Sequence, residues 1–431
     1  MKLKNVLMLG SLSLCAYSSS AQVTLDGEVR PRTEFRNGYG MPISPNQDYA
    51  LYTDQRTRLN FGFKSNDVQT MISVQDIRVW GNTSQLNRSD GNLSIHQAWA
   101  QIPLDSNLAL KIGRQELSYD DQRIFGAVGW ATQARSHDAA LLRYAKKSWK
   151  MDLGIAYNQS APAQFENLYT TAKNYKTMQY VWLNKQHKDL NISLLALNTG
   201  NQATQNDTLG NIVDYKTKNL QTFGTRIVKK HKKFTASLNA YAQMGDDKNW
   251  VSNDISAYLL GADVVVPMKN KKSKVTLGYE IISGTSQTDA TNTQNNSFSP
   301  LFGTNHKFNG FMDYFYVGNY ANNVGLQDAY VKYNTKIKKV DVGIDVHMFM
   351  TAADVQDQKE FQSSGKVVAM DPYLGSEVDV YGTYKLNKTV SMKAGYSQFL
   401  TSETLHAVKG GDVNEMNSWG WLMIIVKPKF K

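Results

Sequence analysis

From Gln22 to Arg36 the chain alternates with a period of two. Val23, Leu25, Val29, Thr33 and Phe35 occupy one set of positions; Asp26, Glu28, Arg30, Arg32, Glu34 and Arg36 occupy the other. Successive strand side chains point to opposite faces, so this run predicts a strand with one apolar and one ionised face. The period recurs along the chain. In 340–349, Val340, Val342, Ile344, Val346 and Met348 alternate with Asp341, Gly343, Asp345, His347 and Phe349. Runs 149–158, 234–244 and 390–397 do the same, matching a strand and not a helix. The pattern predicts about eighteen strands, over 23–36, 55–64, 68–80, 93–103, 107–117, 137–145, 149–158, 177–186 and 189–198, then 219–229, 233–244, 254–267, 272–284, 323–335, 338–350, 374–386, 389–400 and 417–430.

Short links, such as Lys64 to Asp67 and Lys385 to Lys388, fall after every second strand. Long polar links at 37–54, 118–136, 159–176, 199–218, 285–322 and 351–373 fall between them. Short turns on one side and long loops on the other is the arrangement of an outer-membrane barrel. The expected fold is therefore all-β: a transmembrane antiparallel β-barrel of about 18 strands, with short periplasmic turns and long extracellular loops. Aromatics near strand ends, Trp80, Trp99, Trp149, Tyr180, Trp182, Trp419, Trp421 and Phe430, are expected as interfacial girdles.

Composition sharpens this picture. The mean hydropathy is −0.45, and no apolar run is long enough for a membrane helix. Barrels need none, because only alternate residues face lipid. Residues 1–21 have the form of a signal peptide, with Lys2 and Lys4, an apolar stretch Val6 to Tyr17, and Ser19-Ser20-Ala21 before Gln22. Cleavage there would remove Cys15, the sole cysteine, and with it thiol and Cys-ligated metal chemistry. The expected organisation is a signal peptide at 1–21 and a single barrel domain at 22–431. The formal net charge is +11. Lysine clusters such as Lys229-Lys230-His231-Lys232-Lys233 fit solvated turns, and no nucleic-acid partner is expected.

A barrel of about 18 strands encloses an aqueous channel unless loops fill it. The first strand aims Arg30, Arg32 and Arg36 inward, and the next adds Arg56 and Arg58. Arg114, Arg123 and Arg135 are further candidates, as are Arg78 and Arg143. Guanidinium is permanently charged and binds carboxylates bidentately, so a rank of them would make a path for polyanions. The alternative role is pairing with Asp26, Glu28 and Glu34 to stiffen the wall. In the 285–322 link, Phe302, His306, Lys307, Phe308, Phe311 and Tyr314 are too aromatic for a solvated tip. They are expected to pack inward and narrow the pore, or to cap it.

Catalytic and metal signals are weak. Ser136-His137-Asp138 places three triad residue types in a row, but strand neighbours point to opposite faces. Asp120-Asp121 could hold a cation or simply be solvated. No nucleotide loop, metalloprotease motif or zinc spacing occurs, and no cofactor is expected.

The stretch Gly113-Arg114-Gln115-Glu116-Leu117-Ser118-Tyr119, continuing through Arg123, Trp130 and Arg135 to His137-Asp138-Ala139, resembles the alginate-export family of outer-membrane channels. Gly27-Glu28-Val29-Arg30-Pro31-Arg32 and Arg56-Thr57-Arg58-Leu59 are similar to that family's first strands. Phe302-Gly303-Thr304-Asn305-His306-Lys307-Phe308 resembles its Bacteroidetes-type members. The resemblance implies an 18-stranded barrel whose arginine-lined lumen conducts an anionic uronate polymer. It assigns a lumen role to Arg114 first, then to Arg30, Arg32, Arg56 and Arg58.

The expected function is a non-enzymatic outer-membrane channel for anionic oligo- or polysaccharide. Alternatives are a general porin for anions and nutrients, and a barrel enzyme acting on lipid or surface polymer. Expected partners are the saccharide, outer-membrane lipid, periplasmic chaperones and the barrel-insertion machinery.

Overall fold

The structure, a computed structural model, describes residues 21–251 and 253–431. The expected signal segment lies outside the described residues except for Ala21. Eighteen strands run in sequence order. The first nine are β1 (Gln22–Asn37), β2 (Ala50–Lys64), β3 (Gln69–Val79), β4 (Leu93–Pro103), β5 (Leu108–Gln115), β6 (His137–Lys146), β7 (Trp149–Tyr157), β8 (Thr177–His187) and β9 (Leu190–Asn206). They continue as β10 (Ile212–Lys230), β11 (Thr235–Asp246), β12 (Asp254–Pro267), β13 (Lys274–Ile282), β14 (Leu326–Ile337), β15 (Val340–Met350), β16 (Tyr373–Lys385), β17 (Val390–Thr401) and β18 (Asn417–Val426).

Each strand pairs antiparallel with its sequence neighbours, and β1 pairs with β18 to close the barrel. Closure leaves no open edge, which lets strands cross a bilayer with their backbone groups paired. Below β18 the C-terminal tail takes over the seam. Phe430 N donates to Leu25 O across 2.8 Å, and Gly27 N to Pro428 O across 3.0 Å. Gly27 has no Cβ to meet the Phe430 ring there.

The alternating pattern sorts onto two faces as the period required. On β15, Ile344, Val346 and Met348 are exposed on the outside, while Asp345, His347 and Phe349 are buried inside. One expected loop is mostly ladder: β9 and β10 extend through 199–218 as a hairpin, leaving a short tip at 207–211. Two short helices, α1 (Gln358–Ser364) and α2 (Glu403–Lys409), sit in loops.

The girdle expectation needs correcting. Trp80, Trp149 and Phe430 are exposed. Trp419 and Trp421 face the lumen, at the level of Arg36 and Glu34 on β1, and Trp419 is fully buried. Trp99 shares the inner face with Lys111, and Tyr180 and Trp182 sit inside with Asp152. Parity is the reason: Leu422 and Ile424 face lipid, so the odd positions beside them face in.

The barrel interior is filled by two long connections, 116–136 and 283–325. They meet at a short parallel bridge between Phe125 and Phe302. Gly126 N donates to Phe302 O at 2.8 Å, and Thr304 N to Gln122 O at 2.9 Å. Thr304 Oγ1 also donates to Gln122 Oε1 at 2.7 Å.

Candidate functional site

The site is the contact between these loops and the wall of β1 and β2. The register sets Arg30 opposite Arg56, Arg32 opposite Asp54 and Glu28 opposite Arg58. Arg30 Nη1 donates to Gly129 O at 2.6 Å, and Nη2 to Trp130 O and Ala131 O at 3.2 and 3.3 Å. Arg32 Nη1 donates to Trp130 O at 2.6 Å, and its Nε to Glu34 Oε1 at 2.7 Å. Arg56 reaches Thr132 O at 3.3 Å and pairs with Glu28 at 2.6 Å. All three are buried. The first strands therefore grip the inward loop by its backbone carbonyls. That use was not visible in the sequence, because any residue carries a carbonyl.

A carbonyl occupies a guanidinium's donors but does not cancel its charge. Arg30, Arg32, Arg36, Arg56 and Arg58 stand on this wall against Asp26, Glu28, Glu34 and Asp54, so the wall keeps a net positive charge. Arg36 keeps about a third of its surface exposed beside Glu34 and lies over the Tyr39 ring, 4.0 Å from its centroid. Arg58 is half-buried and bonds Gln75 Oε1 at 2.6 Å. Arg135 extends from the loop to Gly303 O at 3.1 Å. Burial lowers its pKa from the ordinary arginine value.

Two expected path residues stand elsewhere. Arg114 faces outward: it lies opposite Ala98 and Asp138, in line with Ile112 and Leu110 on the lipid side. It pairs with Asp138 at 2.8 Å and is 44% exposed. Its alternation with Leu110 and Ile112 is the physical reason. Arg123 is sealed in the loop junction, paired with Glu280, bonded to Asn309 Oδ1 at 3.1 Å and covered by Phe308. It holds the loops together and lines no open path.

The aromatic link at 283–325 does fold inward. Phe302 stacks on Phe125 at 5.5 Å, and His306 on Trp130 at 4.5 Å. Lys307 Nζ donates to Asp121 O at 2.8 Å; burial lowers its pKa. Phe308 covers Arg123, and Phe311 packs edge-on to Tyr381 at 5.4 Å. Tyr314 stacks on Phe399 at 4.2 Å and donates to Gly38 O at 2.6 Å. Glu377 anchors the segment by accepting from Phe311 N and Met312 N at 2.5 and 2.8 Å.

Between the loops and the arginine wall lies a cavity of ≈ 310 Å³. It is lined by Arg32, Arg36 and Arg135, by Asp54 and Asp313, and by the rings of Tyr39, Trp130, His306 and Tyr316. Asp313 is occupied by His306 Nδ1, at 2.6 Å, and by Tyr39. A wider vestibule of ≈ 750 Å³ opens beside it, sharing Arg135. The wall from β12 to β16 carries Asp263, Glu280, Asp328, Asp345, Glu377 and Asp379 on its inner face.

Ser136, His137 and Asp138 do not converge. His137 Nδ1 meets Tyr175 Oη inside at 3.1 Å, while Asp138 is outside. His96, at a bulge in β4, links Ser136 Oγ (3.4 Å) and Glu116 Oε1 (2.7 Å), fastening both roots of the inward loop. Asp121 is taken by Arg226 at 2.5 Å and Asn239 at 2.7 Å. Among the described residues no group of His, Cys, Asp and Glu has metal-binding geometry.

The barrel is similar in fold to solved outer-membrane proteins. OpdK from Pseudomonas aeruginosa aligns with a TM-score of 0.61 at 9% identity, covering 95% of this chain and 99% of that one. OccAB4 from Acinetobacter baumannii aligns at 0.59 and 13% identity, covering 95% and 98%. OpdO of Pseudomonas aeruginosa gives 0.60 at 12% identity, covering 95% and 98%. No curated protein matches the sequence. The family model described as Alginate export matches residues 21–418. The chain thus belongs to the alginate-export family, as an outer-membrane channel built on a porin-type barrel of eighteen strands.

Proposed function

We propose that the channel passes carboxylated saccharides, with Arg36, Arg58, Arg32 and Arg135 forming the anion path. The observation that carries this reading is the ≈ 310 Å³ cavity, where three guanidiniums stand beside the rings of Tyr39 and Trp130. A uronate needs a cation for its carboxylate, and Arg36, about a third exposed, offers one; the ring faces of Trp130 and Tyr39 are covered by His306 and Arg32 and by Arg36. The cavity lies at the lower end of the roughly 300–1,000 Å³ range of small-ligand sites. It would hold a short stretch of chain at a time. A charge pair 4 Å apart is worth roughly 4 kcal/mol at an effective dielectric of ~20, and less in a wet lumen. Successive weak contacts then let a polymer move on without being trapped. No cofactor enters the reading, and the Alginate export family supports it.

The test is single-channel recording in a planar bilayer, with a salt gradient and added oligouronates. Anion selectivity and oligomer-dependent block, both weakened by Arg36→Ala or Arg135→Ala, are expected. Cation selectivity, or indifference to oligomers, would overturn the reading.

A second reading is a porin for small carboxylates. The narrowness of the cavity favours it, and so does a structure of Pseudomonas aeruginosa OpdK with vanillate, similar in fold at a TM-score of 0.57. Block by a small aromatic carboxylate without block by oligouronate would select this reading.

A further inference from the structure

The two ends of the barrel carry opposite charge. The short turns at 65–68, 104–107, 147–148, 188–189, 231–234, 268–273, 338–339 and 386–389, with the tail 427–431, hold thirteen lysines. Against them stand three aspartates, Asp67, Asp105 and Asp189. The connections at the other end that do not fill the lumen, 38–49, 80–92, 158–176, 207–211, 247–253, 351–372 and 402–416, hold seven lysines and arginines against twelve acids. Short turns mark the periplasmic end of such a barrel. That mouth therefore carries lysine on every turn from 147–148 onward and on the tail, and the extracellular mouth is acidic.

Ordinary fold requirements do not ask for this. The turns need polar residues and a few left-handed positions, which Asn or Gly would serve as well. Lys232, Lys233, Lys269, Lys272, Lys339 and Lys388 are all exposed. The charge also continues inward. Lys274 and Lys336 join Lys271 and Lys272 around a cleft of ≈ 580 Å³ with Tyr381 and Thr383. Lys393 lies opposite Thr383 of that cleft and opposite Met423, which lies opposite Arg32, so cations recur from the rim to the arginine wall, with Asp341, paired to Lys336 at 3.4 Å, among them.

We infer that the lysine collar is a capture surface for an anionic polymer arriving from the periplasm, which it threads toward the arginine wall. This rests on the proposed anion path and adds the residues that first meet the chain. Fixed charge cannot drive net transport, because it acts equally on both directions at equilibrium. It raises the rate at which a polyanion finds one mouth, by ten-fold or more for focused fields, and salt suppresses the effect. The inward cations favour a threading polymer over the anionic lipid of the inner leaflet, which would meet only the outer rim.

The experiment uses the full channel inserted in one known orientation, with an oligouronate of about ten sugars added to one side at a time. Block events from the periplasmic side should exceed those from the extracellular side about ten-fold in ~0.1 M salt, and the two should converge in ~1 M salt. Replacing Lys232, Lys233, Lys269, Lys272, Lys339 and Lys388 by Gln should abolish the asymmetry. Conductance in ~1 M salt, where the collar's charge is screened, should be unchanged, which verifies that the variant is folded. Equal frequencies from both sides of the wild type would overturn the collar's role and leave the anion path standing. Absence of block from either side would instead overturn the anion path, and the capture role with it. Unchanged asymmetry in the variant would overturn the assignment to these lysines. Slower insertion of the variant into bilayers holding anionic phospholipid, with capture unaltered, would assign the collar to lipid and overturn the inference.

Discussion

Arg30 and Gly129, 99 residues apart in the chain, are joined by a 2.6 Å bond from Nη1 to the carbonyl oxygen. Two neighbouring carbonyls, Trp130 and Ala131, complete the grip. Hydrogen bonds from a charged donor are worth about 1.5–3 kcal/mol each and are not additive. Arg30→Ala should weaken docking of the inward loop by about 2–4 kcal/mol. Amide exchange across 126–132 should speed up, and single-channel conductance should rise as the loop leaves the wall. Unchanged exchange would mean that the aromatic contacts of Trp130 hold the loop without Arg30.

Arg114 and Arg58 separate a rim role from a path role. Arg114 faces outward and pairs with Asp138; Arg58 is half-buried in the lumen on Gln75. Arg114→Ala should leave the reversal potential in a salt gradient unchanged, and should cost stability by no more than about 1 kcal/mol, as for an exposed ion pair. Arg58→Ala should shift the reversal potential toward cations. A selectivity change in the Arg114 variant with none in Arg58 would contradict the register.

The strands were legible because period two leaves few alternatives once a run has charged and apolar parities. What misled was residue type read without parity. Trp419, Trp421 and Trp99 look like interfacial aromatics, and Arg114 like a lumen cation. Yet Ile424, Ala100 and Ile112 beside them already mark which parity meets lipid. The inward fold of Phe302 to Tyr314 could be expected from its aromatic content. The capture of the other loop by Arg30, Arg32 and Arg56 could not, since their partners are main-chain carbonyls with no side-chain signature. The extension of β9 and β10 was masked by polar residues, which a hairpin standing in water needs on both faces.

Gly310 and Glu377 fix the second loop. Gly310 has φ +80°, and a Cβ there would collide with the Glu377 carboxylate, which also holds the amides of Phe311 and Met312. Gly310→Ala should cost about 1–2 kcal/mol from the left-handed backbone alone, with the collision added. The expected result is a channel that folds and inserts but flickers between conductance levels. A steady current equal to wild type would show that the loop is held by Tyr314 and Phe399 and not from this point.

Lys409 makes the cap at α2 sensitive to pH. Its Nζ donates to Gly40 O at 3.0 Å and lies 5.5–5.7 Å from the rings of Tyr314, Phe315 and Tyr320. Burial pushes its pKa down from the ordinary 10.5 to about 7. Below about pH 7 the docked and undocked forms both carry the proton, and the docked form bears the whole cost of a dehydrated ammonium. Between about 7 and 10.5 only the undocked form stays charged, so the cost shrinks as pH rises. Above 10.5 it is gone. Docking of the cap should therefore strengthen from neutral to alkaline pH, with the Gly40 carbonyl and the rings offsetting part of the cost at the acid end. Current flicker should fall as pH is raised from about 6.5 to about 9.5, the window set by those two pKa values. Lys409→Met fills the same space without a charge, so its flicker should be low and flat across the range. If the Met variant keeps the wild-type pH profile, the titrating group is another one, and α2 is held by Leu405 and the Ser402 cap independently of Lys409.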